Sequence, residues 1–289
     1  MNPAPAGART SRLRQAIDAA AARLAEAGVN TPRADALELA AFAAGVERGR
    51  LSFAEVDEDF FDRYAELVAA RARRVPVQHL TRTAAFGPVT LEVGPGVFIP
   101  RPETEALYEW AAGLDLPARP LIVDVCTGSG ALAVALARHR PDARVVAIDD
   151  SPEALNYARR NAAGTGVEVL RGDVTDPGLL PELDGTVDLL VANPPYIPAG
   201  AELEPEVAQH DPHHALFGGP DGMAIVEAVV ELAGRWLRPG GHCGVEHDDT
   251  TSARTVAAFE RTGRFAAVTA RRDLVGRLRF VTATRKVNP

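Results

Sequence analysis

Two cysteines in 289 residues, Cys126 and Cys243, leave no material for a disulfide framework or a cysteine-rich zinc site. Lysine is almost missing: Lys286 is the only one, and arginine carries the rest of the positive charge. Together with abundant alanine, this reads as genome-level compositional bias rather than function. Positive charge is not in excess, and the net charge of −8 argues against affinity built on covering nucleic-acid phosphates, although a local basic patch stays open. No run of eighteen apolar residues occurs, and MNPAPAGARTSR lacks the apolar segment of a signal peptide. A soluble, cytoplasmic protein without membrane contact is expected. There is no internal repeat, and the one biased stretch is the Ala- and Pro-rich first ten residues.

What is present is ordinary globular material, 46% hydrophobic and 24% charged, enough for one large domain or two ordinary ones. Residues 1–80 read as a small helical domain. Leu13, Ile17, Ala20, Ala21, Leu24 and Ala27 form a helical stripe that Gly28 ends. Thr31-Pro32 resembles an N-cap followed by proline at the first helical position, opening a helix that runs to Gly45. A third helix carries Phe60, Phe61, Tyr64, Leu67 and Val68. Residues 81–100 hold short β-like runs broken by Gly-Pro and Pro-Gly, a β-hairpin connector. From 101 to 289 a proline- and acid-led helix precedes alternating strands and helices, which predicts an α/β, doubly wound, mostly parallel sheet.

DVCTGSGALA lies between a strand and a helix, where a nucleotide-type cofactor loop belongs. Gly128 and Gly130 admit close backbone approach, and the helix start supplies free N–H groups. Gly128-Ser129-Gly130 with Ala133 also fits the dinucleotide pattern, so the loop alone leaves both cofactors open. Asp149 suits ribose hydroxyls in either case. Asp124 tilts the reading: an anionic pyrophosphate gains nothing from it, whereas S-adenosylmethionine carries a sulfonium and an ammonium. The competing reading is that Asp124 caps the glycine turn. Asp173 is a candidate acceptor for an adenine amino group, or a turn residue in RGDVTDPG.

The stretch LLVANPPYIP ends a strand on an amide, two prolines and a tyrosine. Prolines cannot continue the ladder, so Asn193-Pro194-Pro195-Tyr196 is a stiff corner at a strand's carboxyl end, where ligands of such sheets bind. The Asn193 side-chain oxygen and the Pro194 carbonyl can both accept from one NH2 group, and Tyr196 can stack on the plane that bears it. Gripping both hydrogens favours a pyramidal nitrogen whose lone pair is free for the electrophile, and orientation supplies the rest.

The pairing of DVCTGSG with NPPY resembles methyltransferases that act on planar amino nitrogens. The wider pattern is closer still to the release-factor glutamine methyltransferases. PVQHLTRTAAFGPVTLEVGPGVFIPRPETEAL, DPHHALFGGPDGM and RRDLVGRLRFVTA resemble segments of that family, so the likeness spans about residues 75 to 285. It implies the class I S-adenosylmethionine-dependent methyltransferase fold and N5-methylation of the glutamine in the Gly-Gly-Gln loop of class-one peptide chain release factors. It also implies that the helical domain helps grip that protein partner. By position, Cys126, Thr127, Gly128, Ser129, Gly130 and Asp149 would hold the cofactor, with Phe98, Arg101 and Asn193 beside it. Asn193, Pro194, Pro195 and Tyr196 would hold the substrate amide. Cys126 stands where the family usually has glycine, Val174 where an aromatic can face the adenine, and GVEHDD replaces the usual Glu followed by Ile-Gly.

His210, His213 and His214 have helical spacing, but Pro212 interrupts it and no acidic residue completes a metal set; no metal is expected. Arg71, Arg73 and Arg74 are either a solvated helix end or a contact to release factor or ribosomal RNA. Trp110 and Trp236 read as packing residues. The alternatives are a glutamine methyltransferase for a ribosomal protein, an adenine N6 methyltransferase needing a basic recognition region, and a non-catalytic binding module. No sequence-specific nucleic-acid contact is expected; no feature specifies an oligomer, and a monomer is the working expectation.

Overall fold

The computed structural model describes residues 6–287, so the start of the Ala- and Pro-rich segment lies outside the described residues. The chain divides into two compact units.

The first unit holds the residues up to Thr83 together with Glu204–His210. It contains α1 (Ala6–Glu26), α2 (Pro32–Ala44), α3 (Asp59–Ala72), α4 (Val77–Thr81) and a helix supplied from later in the chain, Pro205–His210. Leu13, Ile17, Ala20 and Leu24 pack against Leu39, Phe60, Tyr64 and Val68, so the apolar stripes expected for these helices form its core. Pro32 opens α2, and Gly45 closes it in the left-handed region at φ +65°. Thr31 is not a side-chain cap, because its hydroxyl donates to Asp35 Oδ1 at 2.8 Å.

The arginine cluster is used inside this unit. Arg71 is buried and ion-pairs with Asp35 at 2.7 Å and Glu206 at 3.0 Å. Arg74 donates to Glu206 and to the Gly28 carbonyl. Burial alone would raise the Glu206 carboxyl, but hydrogen bonds from Arg74 and Arg71 pull it down to about 2. Neither a solvated helix end nor an RNA contact describes Arg71 or Arg74; only Arg73 is exposed. The partner carboxylate lies more than 130 residues away, which hid the arrangement from local reading.

In the second unit, β1 (Thr83–Phe86) and β2 (Val89–Glu92) make the expected hairpin, and α5 (Glu105–Ala112) follows a short 3-10 turn at Pro102–Thr104. Then come β3 (Leu121–Val125), α6 (Ala131–His139), β4 (Arg144–Asp149), α7 (Pro152–Asn161), β5 (Glu168–Arg171) and β6 (Val187–Ala192). The Pro205–His210 helix is α8, and α9 (Ala224–Trp236), β7 (Leu237–Glu246), α10 (Ser252–Arg261), β8 (Phe265–Arg272) and β9 (Leu278–Arg285) complete the chain. The seven-stranded sheet runs β5-β4-β3-β6-β7-β9-β8. Its first five strands are parallel, while β9 pairs antiparallel with both β7 and β8. β6 is buried along its whole length, as a strand covered on both faces must be. Leu107, Leu132, Leu136 and Ala154 belong to the core on one face; Val226, Val230, Trp236 and Phe259 belong to the other. Chain order reverses between β3 and β6, which opens the crevice at their carboxyl ends.

Removing the Arg71 guanidinium strands the Asp35 carboxylate, whose side chain is 9% exposed. Arg71→Ala is expected to destabilise the helical unit by roughly 3–5 kcal/mol. Urea unfolding followed by far-ultraviolet circular dichroism measures it, and a loss below about 1 kcal/mol would contradict the role assigned to the pair.

Candidate active site

Strand register sets the site. Val125 lies opposite both Ile148 and Ala192, and Ala192 lies opposite Val245. The residues that follow, Cys126, Asp149, Asn193 and Glu246, therefore leave the sheet along one edge.

The loop after β3 turns through positive φ at Cys126 (+56°), Gly128 (+57°) and Gly130 (+87°). Its shape is held from several sides. Thr127 N–H donates to the Ile148 carbonyl at 3.0 Å, and Gly128 N–H to Asp149 Oδ2 at 2.8 Å. Asn161 of α7 donates to the Ser129 carbonyl at 2.8 Å and bonds both backbone groups of Glu92 in the hairpin. A Cβ at Gly128 would meet nothing within 4 Å, so the loop keeps an open cradle there, whereas one at Gly130 would touch Ala158 at 3.5 Å. Open backbone at the first glycine and close packing at the second fit a loop that takes a ligand on one side and a helix on the other.

Asp124 is buried, and its Oδ2 accepts from Thr127 Oγ1 at 2.5 Å and Ala133 N–H at 3.1 Å. Oδ2 thus holds the turn, while Oδ1 has no hydrogen-bond partner. Burial pushes its carboxyl up to about 7, against the pull of those two donors. Asp149 accepts from Gly128 and Ser151 N–H groups; burial raises it, and the two donors oppose that rise. The Cys126 thiol is raised well above its ordinary value by burial and by the nearby charges of Asp149, Asp124, Asp150 and Asp173. It stays protonated, so it acts as bulk and not as a nucleophile. An acid-lined rim favours a cationic ligand and opposes a pyrophosphate.

Asp173 is exposed, and its Oδ1 accepts from Thr175 N–H and Oγ1–H, the geometry of a turn. Val174 is partly buried against the core beneath α9. Phe98 carries the Arg101 guanidinium 4.9 Å above its ring, and Arg101 ion-pairs with the buried Asp211. His214 meets Asp150 at 2.7 Å, which raises its pKa. His210 ends α8, His213 and His214 lie in a separate 3-10 turn, and no group of three metal-ligating side chains occurs among the described residues.

The proline corner is cradled by backbone. Ile197 N–H donates to the Leu216 carbonyl, and Gly218 N–H to the Ile197 carbonyl. A Cβ at Gly218 would come within 2.4 Å of the Pro195 carbonyl, and one at Gly222 within 2.2 Å of the Tyr196 carbonyl, so both positions must be glycine. Asn193 Nδ2 donates to Thr104 Oγ1 at 3.1 Å, which leaves the Asn193 side-chain oxygen available as an acceptor. Tyr196 donates its hydroxyl to Glu246 Oε1 at 3.0 Å and packs its ring on the core. The Tyr196 hydroxyl is raised well above its ordinary value, first by burial and then by the Glu246 charge. Sequence reasoning named Asn193, Pro194, Pro195 and Tyr196 but passed over Thr104, Asn161, Gly218, Gly222 and Glu246. Glu246 was visible only as part of an altered motif, GVEHDD.

Residues 15–81 match the PrmC N-terminal domain, and residues 122–203 match a methyltransferase domain. A release factor glutamine methyltransferase from Mycolicibacterium smegmatis is 68% identical, over 95% of this chain and 98% of its own. The chain belongs to the release factor glutamine methyltransferase family. Another relative, the 4-amino-L-phenylalanine/4-methylamino-L-phenylalanine methyltransferase of Streptomyces pristinaespiralis, is 41% identical over 90% of this chain and 91% of its own. The fold is also that of a methyltransferase crystal structure from Pyrococcus furiosus, with a TM-score of 0.52 at 19% identity, covering 76% of this chain and 98% of that one. Family membership makes this chain a methyltransferase. No helix among the described residues is long and apolar enough to cross a membrane.

A buried carboxyl raised in the folded state makes stability fall with pH. Asp124 ionises near 4 when unfolded and at about 7 when folded. Its contribution is therefore fully present below about pH 4 and is lost as pH rises through about 7. Asp124→Asn keeps an acceptor for Thr127 and cannot ionise. Its urea midpoint is expected to change less than the wild type's between about pH 5 and pH 8; equal changes would sink the assignment.

Proposed function

We propose that this chain transfers the methyl group of S-adenosylmethionine to the side-chain amide nitrogen of the glutamine in the Gly-Gly-Gln loop of class-one peptide chain release factors. The observation that carries this reading is the corner after β6. There Asn193 presents an amide oxygen, fixed from behind by Thr104, beside the open glycine cradle.

The roles follow from the geometry. Bound in the crevice, the cofactor supplies a methyl group on a positively charged sulfur. The backbone of residues 126–130 and the Asp149 carboxylate suit its amino-acid and ribose portions, and Asp124 acts through the loop by holding Thr127 and the start of α6. Phe98 and Arg101 would lie close to it, as the family resemblance implies, with Asp173 and Val174 as candidates at its adenine end. Asn193 Oδ1 and the Pro194 carbonyl take the two hydrogens of the acceptor amide, and Tyr196 with Pro195 bounds its plane. That grip weakens amide resonance and orients the lone pair, the proximity effect being worth several orders of magnitude. No strong base is needed beforehand, because the alkylated nitrogen is acidic and releases its proton.

One observation favours a second acceptor class. The relative named for 4-amino-L-phenylalanine acts, by that name, on an aromatic amine, which is also a planar nitrogen. The same corner suits both.

Incubation with radiolabelled S-adenosylmethionine separates the readings. Label is expected on a purified class-one release factor and not on its loop Gln→Ala form. Label on neither, with 4-amino-L-phenylalanine methylated, would replace the release-factor reading by the arylamine one. Asn193→Ala is expected to cut turnover about 100-fold or more, with cofactor binding retained.

A further inference from the structure

We propose that His214 is a positioning residue for the cofactor: through Asp150 it holds the segment 211–218 as a strap across the glycine cradle, and so sets how fast S-adenosylmethionine leaves. The inference rests on the reading of that cradle as the cofactor's seat, and it adds the group that keeps the seat closed.

Sheet order places the strap. The strands run β5-β4-β3-β6, so β3, from which the glycine loop leaves, lies between β4 and β6. Segment 211–218 is bonded on both sides of that exit. On one side it joins the corner after β6. Ile197 N–H donates to the Leu216 carbonyl at 2.9 Å, Gly218 N–H donates to the Ile197 carbonyl at 3.0 Å, and Ile197 and Phe217 form a β-bridge. On the other side His214 Nε2 meets Asp150 Oδ1 at 2.7 Å and Oδ2 at 2.9 Å. Asp150 directly follows the last residue of β4. Two strand spacings separate these exits, about 10 Å. From His214 to Leu216 the chain reaches about 7 Å at most. The two side chains cover the remainder, so no slack is left for a detour around β3. The start of the strap is fixed as well, since the buried Asp211 ion-pairs with Arg101, whose guanidinium lies over Phe98. The cradle itself stays open, because a Cβ at Gly128 would meet nothing within 4 Å.

The three ties are unequal. Gly218 fits against the corner with no room for a Cβ, and the Asp211 side chain is 1% exposed. His214 and Asp150 are 66% and 37% exposed, so water competes for their bond and the strap opens from that end. Protonation sets its strength. The hydrogen bond to Asp150, joined by the charges of Asp150, Asp149 and Asp173, raises the imidazole above its ordinary 6.5, against the opposing effect of burial. Those carboxylates, which follow β4 and β5, are the charged groups that face it. The tie is therefore fully charged below 6.5 and weakens as pH rises through the raised value. A neutral imidazole still donates from Nε2, but without charge assistance.

Two measurements test this. Hydrogen exchange of the cofactor-free protein reads the tie itself. The Ala215 and Leu216 amides, bonded within the turn of the strap, are expected to exchange about two- to fivefold faster in His214→Ala at about pH 6. Unchanged exchange overturns the proposal. Release of S-adenosylmethionine from immobilised protein, followed by surface plasmon resonance, reads the consequence. His214→Ala is expected to release it about two- to fivefold faster than the wild type at about pH 6, with the ratio approaching one by about pH 9. His214→Arg keeps its charge at every pH and has room at this exposed position, so its release stays slow throughout. Equal rates at the acidic pH, a ratio indifferent to pH, or arginine as fast as alanine overturns the proposal. Strap amides that respond to His214→Ala in a protein that binds no S-adenosylmethionine overturn the cofactor reading, and this proposal with it.

Discussion

Everything at this site depends on four parallel strands ending at the same height. The register that sets Val125 against Ile148 and Ala192, and Ala192 against Val245, brings Cys126, Asp149, Asn193 and Glu246 to one edge without any further device. A shift by one residue would also turn every buried side chain of β6 to the opposite face, so the core and the site are locked by the same pairing. Because the chain reverses between β3 and β6, the glycine loop and the proline corner leave neighbouring strands. Cofactor loop and acceptor corner are adjacent by topology, before any side chain is chosen.

Two carboxylates behind that edge carry most of its polarity. Asp124 and Glu246 are both 1% exposed, and burial raises both to about 7. Neither placement is favourable for stability alone, since a buried carboxyl without a full cation partner is costly to ionise. Each is kept beside a donor that gains a direction from it: Thr127 and the α6 N-terminus for Asp124, Tyr196 for Glu246. The first shapes the loop and the second shapes the corner. Rules of burial are broken in the places where function asks for fixed polarity.

Legibility in the sequence followed locality. Strand–helix alternation predicted the sheet, and the Gly-rich and Pro-rich strand exits marked the loop and the corner, because period and turn chemistry are written in consecutive residues. Asp124 was readable as either a charge partner or a turn residue, and its bonds to Thr127 and Ala133 show the turn contacts that the sequence left open. The supports of the corner were not readable. Thr104 lies 89 residues from Asn193, and Tyr196 meets Glu246 across 50. Arg71 and Arg74 looked like surface charge for the same reason, their carboxylate arriving on α8 from the far half of the chain. A six-residue helix of this kind cannot stand by itself, and the arginines supply what its length does not.

Cys126 shows what holds the cofactor loop in shape. A side chain at φ +56° costs of order 1 kcal/mol relative to glycine, so the conformation is imposed rather than chosen. The imposing groups are identifiable. Thr127 and Gly128 are bonded to the end of β4, Ser129 is bonded by Asn161, and Asp124 grips Thr127 from beneath. With four anchors on consecutive residues, backbone freedom at Cys126 is unnecessary, and a Cβ is tolerated where the family usually has none. The thiol adds no reactivity, because burial first and then the acids around it keep it protonated. At the corner itself glycine is obligatory, because another backbone comes too close at Gly218 and Gly222. The loop is thus built to tolerate substitution at its entrance, while the proline corner and the two glycines behind it form the part that admits none.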